Sequence, residues 1–442
     1  MITAQKTYEK TAYVNARLLD PASQLDTKGG VLIENGKIAD IGPQITKASI
    51  GSGVEVIDVD GACLAPGLVD MLVHTGEPGN EHKETFVTLG ETAAAGGVTA
   101  IASMPDTDPI IDNVAGISYI HRRARQTKSV KHFPYAAMTV QCQGKEMTEL
   151  GLLSEAGAVG FTDGMNAVGD AKLLRRIMSY SRSFDLLLLQ PPMHPRLSEG
   201  GLMNSGEMST RLGLSGISAE AEVLQVMIDC RLAQATGARL HIGPISLGES
   251  AQLIRKAKVK GVRVTCSTSP HYFTLTENDV GDYRTFAKVL PPLRDAENRD
   301  AIADAVADGT IDVVASSHHP QDVDAKRLPF AQAAPGIVGL ETLLALSLKL
   351  HHENKISLLD LLAKLTSNPA EILRLPVGRL AIGKAADIVI FDAGEPWRIN
   401  NDQLHSKSKN SPYDTLPVQG RVKHTILDGR HVYDGTKLAS AA

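Results

Sequence analysis

Seven short stretches that carry histidine or aspartate stand at or near the ends of apolar runs. These are DMLVHTGEP (Asp70–Pro78), MPDT (Met104–Thr107), FTDG (Phe161–Gly164), QPPMH (Gln190–His194), HIGPISL (His241–Leu247), PHY (Pro270–Tyr272) and SSHHPQ (Ser316–Gln321). Imidazole and carboxylate groups hold divalent metals and move protons, so any chemistry is expected at these places. Other signals are weaker. The Ala95-Gly96-Gly97 run lacks the lysine and spacing of a phosphate loop. Met193, Met203 and Met208 form no helical stripe and read as loop or core, and Lys407-Ser408-Lys409 reads as a solvated face.

The elements that must position these groups follow from the apolar pattern. Strand-length runs at Leu68–Val73, Val98–Met104, Ala158–Phe161, Leu186–Leu189, Arg239–Ile242, Arg263–Cys266 and Ile311–Ala315 alternate with helical segments. Continuous apolar strands separated by helices imply a parallel sheet covered on both faces. Seven or eight such units suit a (β/α)8 TIM-type barrel, whose function sits at the C-terminal ends of its strands. Local signals agree. Ser357 and Asp360 form a capping box with Ile356 and Leu361 as its staple, and Asn298–Ala307 reads as an amphipathic helix stopped by Gly309. Both ends of the chain are β-rich. Thr11–Leu19 and Val31–Ile41 precede the barrel, the second broken into a hairpin at Asn35-Gly36. Ala386–Phe391, Gly420–Leu427 and Arg430–Tyr433 follow it, the last two joined at Asp428-Gly429. A lone hairpin is barely stable, so the expectation is one small discontinuous β-sandwich, residues 1–66 plus 377–436, around a barrel at 67–376.

Composition bounds the function. Of 442 residues, 43% are hydrophobic and 21% charged, which excludes wholesale disorder. The net charge of −5 argues against a nucleic-acid or anionic-membrane partner. Cys63, Cys142, Cys230 and Cys266 stand far apart without a CxxC, so neither a disulfide framework nor a zinc knot is indicated. The first twenty residues have no apolar core of signal-peptide length, and no 18-residue apolar run occurs, so a cytoplasmic protein with no membrane segment is expected.

The stretches PGLVDMLVHTGEPGNEHKETF and AAAGGVTAIASMPDTDP resemble the amidohydrolase superfamily, and its dihydroorotase branch in particular. EGGLMNSGEMSTRLGLSGISAEAE (Glu199–Glu222), PPLRDAENRDAIADAVADGTIDVV and PFAQAAPGIVGLETLL are further matches to that branch. NPAEILRLPVGRLAIGKAADIVIFD through SKSKNSPYD to GRV resembles its flanking β-domain. Hydantoinases and allantoinases share the fold but bridge two metals with a carboxylated lysine. Here Thr162-Asp163-Gly164 stands at that strand end, as in the aspartate-bearing dihydroorotases.

The resemblance also defines departures. An active member has Asp-x-His-x-His on the first strand, so that alternate residues present two imidazoles to one zinc. This chain has Leu72 at the first ligand position and keeps only His74. Pro191 and Pro244 replace second-metal histidines, and Ser317 replaces the aspartate that binds metal and shuttles the proton. His74 and Asp163 are the remnant ligands. His241 and His318 lie an odd number of residues from ligand positions and face away on a regular strand. His194 lies in a loop beyond two prolines, and His271 falls where the family has a pocket histidine. For these four the simpler reading is a packed or solvated ring. The family's carboxylate-reading groups are replaced by Gly76, Asp106 and Leu290, and its last-loop histidine by Gln321. A carboxylate at Asp106 about 5 Å from an anionic substrate, at an effective dielectric near 20, repels it by about 3 kcal/mol.

What the resemblance implies is therefore a dihydroorotase homologue of de novo pyrimidine biosynthesis without the binuclear zinc pair. It implies no catalytic residue, no cofactor, and a structural role beside aspartate carbamoyltransferase in an oligomer. Two alternatives stay open. One is a working cyclic-amide hydrolase, interconverting carbamoyl-aspartate and dihydroorotate with a single or rearranged zinc. The other is a small-molecule binding protein that kept the barrel pocket.

Overall fold

The computed structural model describes residues 10–435. The outermost parts of the expected β-sandwich, residues 1–9 and 436, lie outside them, as does the Lys437–Ala442 tail. The first strand, Lys10–Asp20, pairs antiparallel with Leu25–Glu34, which turns at Asn35-Gly36 into Lys37–Gly42. Asn35 and Gly36 both have positive φ, the backbone that a tight hairpin turn demands. Cys63–Pro66 then joins the two ends of the chain. It runs parallel to Lys10–Asp20 on one edge and antiparallel to Ile388–Arg398 on the other. Glu55–Asp58 pairs parallel with Lys10–Asp20, and Pro417–Leu427 and Arg430–Asp434 complete the eight-stranded sheet. Tyr13, Leu18, Val31, Leu64, Ile388 and Ile426 from both termini share one buried cluster, so the two halves build this core together.

Leu68–Val73 leads from this sheet into a barrel of parallel strands. It pairs with Val98–Ser103, which pairs with Lys131–Pro134. Ala136 bridges to Phe161 and Phe161 to Leu188, carrying the ladder to Leu187–Gln190. Arg239–Ile242, Val264–Thr268 and Val313–Val314 follow, and a Val73–His318 bridge closes the ring. Two expectations change here. Ala158–Phe161 contributes a single bridging residue rather than a strand. Lys131–Pro134 is a barrel strand with no apolar run to announce it, because its alternation of half-buried Lys131 and Phe133 with buried His132 and Pro134 is too short to read.

The closure is reinforced by one buried carboxylate. Asp70 on the first strand accepts from the Leu72 amide at 3.1 Å and from the Ser316 amide beyond the last strand at 3.1 Å. The barrel is plugged by Met71, Leu72, Met104, Tyr135, Leu189 and Ala315, which form an apolar cluster of their own. Helices cover the outside, and their ends obey the local signals. Ser357 caps Leu358–Leu365 by accepting from the Asp360 amide, with Ile356 and Leu361 buried beside it, and Ala296–Ala307 ends one residue before Asp308 and Gly309.

One surface expectation fails. Ser406, Ser408, Asn410 and Ser411 are buried, because residues 405–411 cross the barrel and hydrogen-bond to its loops. Ser408 donates to the Lys83 carbonyl at 2.7 Å, and Asn410 accepts from the Gln321 amide at 3.1 Å. Lys407 is exposed, with its amide donating to Glu84 at 3.2 Å and its Nζ to the Glu81 carbonyl at 2.7 Å. A polar serine-rich run reads as solvated until its partners, hundreds of residues away, are known.

Candidate functional site

At the mouth of the barrel lies a cavity of about 230 Å³. Its floor and walls come from the strand ends singled out by sequence. Leu72, Pro191, Pro244 and Ser317, where the resemblance places metal ligands, all line it, as does Leu290, where it places a substrate-reading group. Met104, Met165 and Met193 add flexible apolar surface. His74, His271 and His319 are its imidazoles, and among the described residues that line it there is no Lys, Arg, Asp or Glu.

Two of these imidazoles are engaged by neighbouring side chains. His74 Nδ1 meets Asp106 Oδ1 at 3.0 Å, and its ring stacks on His319 with centroids 3.9 Å apart and planes inclined by 17°. Burial raises the Asp106 carboxyl, but the charge and hydrogen bond of His74 and the field of His319 outweigh it and hold it below the usual carboxylate range. His319 is pushed well below the usual imidazole range, first by burial and then by His74. Its Nε2 lies 3.0 Å from Gln321 Nε2. This stacked pair was not visible in the sequence: His319 neighbours His318, and only the fold decides which of the two faces the mouth.

The other candidates are dispersed. Asp163 does not line the cavity with His74. Its carboxylate accepts from the Thr139 amide at 2.9 Å and from the Thr139 hydroxyl, and burial pushes it up to about 6 against those bonds. His241 is wholly buried between Thr265 Oγ1 and Ser267 Oγ, each at 2.9 Å, and burial lowers it to about 3. His318 turns away from the cavity: Nδ1 accepts from the Gly339 amide at 3.2 Å, and Nε2 lies 3.7 Å from Glu84. His194 borders a separate groove with Cys142 and Arg196. Gly76 has φ of +72°, and a Cβ there would lie 2.7 Å from the Glu84 carbonyl oxygen, so the arginine of the family cannot stand on this backbone. Ser317 also has a left-handed φ of +49° and shares a hydrogen bond with Ser269.

The donor set does not fit zinc. A zinc ion lies about 2.0–2.1 Å from each imidazole nitrogen, in the plane of each ring. The planes of His74 and His319 are nearly parallel and intersect on the order of 10 Å away, so the two rings cannot share one ion in this arrangement. Among the described residues no three His, Cys, Asp or Glu side chains converge to hold a metal. Nor is any helix among them long and apolar enough to cross a membrane.

The family model described as dihydro-orotase-like matches residues 61–250, and that of the amidohydrolase family matches residues 206–432. A dihydroorotase of Wolbachia sp. subsp. Drosophila simulans is 43% identical over 433 residues, 98% of this chain and 97% of its own length. A dihydroorotase of Syntrophotalea carbinolica is 43% identical over 424 residues, 96% of this chain and 99% of its own. Among solved structures, the L-hydantoinase (dihydropyrimidinase) of Arthrobacter aurescens superposes with a TM-score of 0.86 over 96% of both chains, at 24% identity. That last likeness is one of fold: a barrel with an added β-domain.

Proposed function

The chain belongs to the dihydroorotase family of amidohydrolases, and from that premise we propose that it serves pyrimidine biosynthesis as a structural partner of aspartate carbamoyltransferase, not as the catalyst of ring closure. The observation that carries this reading is the conversion of one wall. Leu72, Pro191, Pro244 and Ser317 converge on a single cavity, which supports the loss of one site over scattered drift.

The chemistry explains why that matters. Cyclic-amide hydrolysis needs a nucleophilic hydroxide near neutral pH. A metal lowers the pKa of its water from about 15.7 to about 7, so without one the hydroxide is scarcer by roughly eight powers of ten. His74 is committed to Asp106 and Asp163 to Thr139. Among the described residues the imidazole left over in the lining is His271, and burial lowers it to about 3, too weak a base to compensate. What persists is a complete barrel and β-domain, which is what an assembly partner needs.

Two measurements test the reading. Purified protein assayed in both directions between carbamoyl-aspartate and dihydroorotate is expected to turn over far below 1 s⁻¹, and to carry well under one equivalent of zinc after mild dialysis. Turnover near 1 s⁻¹, ordinary for an enzyme, ends it in favour of a rearranged single-metal hydrolase. Co-expression with the same organism's aspartate carbamoyltransferase is expected to give co-elution in size-exclusion chromatography with mass measurement. A transferase that migrates alone and works equally well without this chain removes the scaffold role.

A further inference from the structure

We propose that the barrel-mouth cavity is a binding site for a small, flat, uncharged heteroaromatic molecule, with His271 as its hydrogen-bonding partner. The removal of ligands and substrate-reading groups did not fill the space. About 230 Å³ remains, partly open to solvent. An apolar void of about 150 Å³ accepts a benzene ring, so this one has room for a fused two-ring molecule.

The lining selects against charge. With no Lys or Arg among its described lining residues, a carboxylate entering the cavity loses its hydration and finds no cation to replace it. The Asp106 carboxylate behind His74 adds like charge. The lining selects for an aromatic ring. Met104, Met165 and Met193 present polarisable thioethers, which adapt their rotamers and make favourable contacts with aromatic edges. Leu290 and Ile337 complete an apolar wall.

One polar group is left without a task. His271 lines the cavity, is 2% exposed, and its Nδ1 has no hydrogen-bond partner. His74, His241 and His319 are all engaged by neighbouring side chains. Burial lowers His271 to about 3, so at neutral pH its ring is uncharged and offers one N–H and one bare nitrogen. A heteroaromatic molecule with both a ring nitrogen and an N–H can pair with either. The site requires no catalysis and no partner subunit, so it can fail while the scaffold role stands, and the reverse.

The probe is benzimidazole, titrated calorimetrically into the full-length protein at pH 7.5, with orotate and dihydroorotate as anionic comparisons. Saturable one-to-one binding with Kd below about 1 mM is expected, at least tenfold tighter than either anion. His271→Phe keeps a ring against Tyr272 but removes both nitrogens, and is expected to weaken benzimidazole at least fivefold. Leu290→Asp places a charge in the wall and should weaken it further. Absence of saturable binding to the wild-type protein, or an anion that binds as tightly as benzimidazole, overturns the proposal even if neither variant folds. Equal affinity of a folded His271→Phe variant overturns the role of His271.

Discussion

Arg294→Met should destabilise the protein by breaking a buried clamp, and the structure sets the size of the effect. Arg294 and Glu222 are 2% and 0% exposed and lie 3.4 Å apart. The guanidinium also donates from Nε to Ser246 Oγ at 3.0 Å and from Nη1 to Asn204 Oδ1 at 2.8 Å. Removing one member of a buried pair typically costs about 3–5 kcal/mol, because the other charge stays buried without compensation. Glu222 retains the Ser246 and Leu247 amides at 2.9 and 3.1 Å, which places this case at the lower end, about 3 kcal/mol. With an unfolding entropy of about 2.1 cal/mol/K per residue, the 442-residue chain loses about 3 °C of thermal midpoint. Adding Glu222→Gln keeps the acceptor but removes the orphaned charge, so the double variant should recover at least half of the loss. Differential scanning calorimetry reads both numbers. Asn204 and Ile217 bracket a segment that Arg294 pins, so the single variant should also be nicked faster by protease between residues 204 and 217. A midpoint that falls by less than 1 °C, or two losses that simply add, refutes the argument. In either case the segment Glu199–Glu222 is held by something other than this charge pair.

Other perturbations give independent checks. Asp229 is wholly buried, its Oδ2 has no partner, and burial pushes its carboxyl from 3.8 to about 7. The folded state therefore keeps this proton where the unfolded chain has lost it, so stability falls as pH rises from about 4 to about 7, by an amount on the order of 4 kcal/mol. Asp229→Asn should raise the urea midpoint at pH 8 more than at pH 4.5, and an equal change at both excludes this group. Ser357→Ala removes the cap that accepts from the Asp360 amide at 3.1 Å and should cost about 1 kcal/mol in urea unfolding. A neutral result means that the Ile356–Leu361 contact holds that helix end alone. Leu72→His restores one imidazole but leaves Pro191, Pro244 and Ser317 in place, so zinc content and turnover should remain at wild-type values. One equivalent of bound zinc in that variant shows that a second ligand was already in position.

The amino-acid sequence by itself determined what local chemistry can decide. The Asn35-Gly36 hairpin and the Ser357 cap depend on residues within a few positions of one another, and both form as read. Continuous apolar runs require a covered parallel sheet whichever neighbours they meet, so the barrel class was legible. So were the side chains at Leu72, Pro191 and Pro244, since leucine and proline cannot ligate zinc in any conformation. Tertiary structure decided everything that depends on partners far along the chain. Lys131–Pro134 becomes a strand because Val98–Ser103 offers it a ladder, and its own residues carry no signal. Ser406 and Ser408 are buried because Glu84 and the Lys83 carbonyl, more than 300 residues earlier, receive their hydroxyls. Asp163 satisfies itself on Thr139 and not beside His74. His319 stacks on His74 while His318, one position before, turns towards Glu84. Adjacent residues on an extended backbone point to opposite sides, and which side holds the cavity is fixed only once the Val73–His318 bridge closes the barrel.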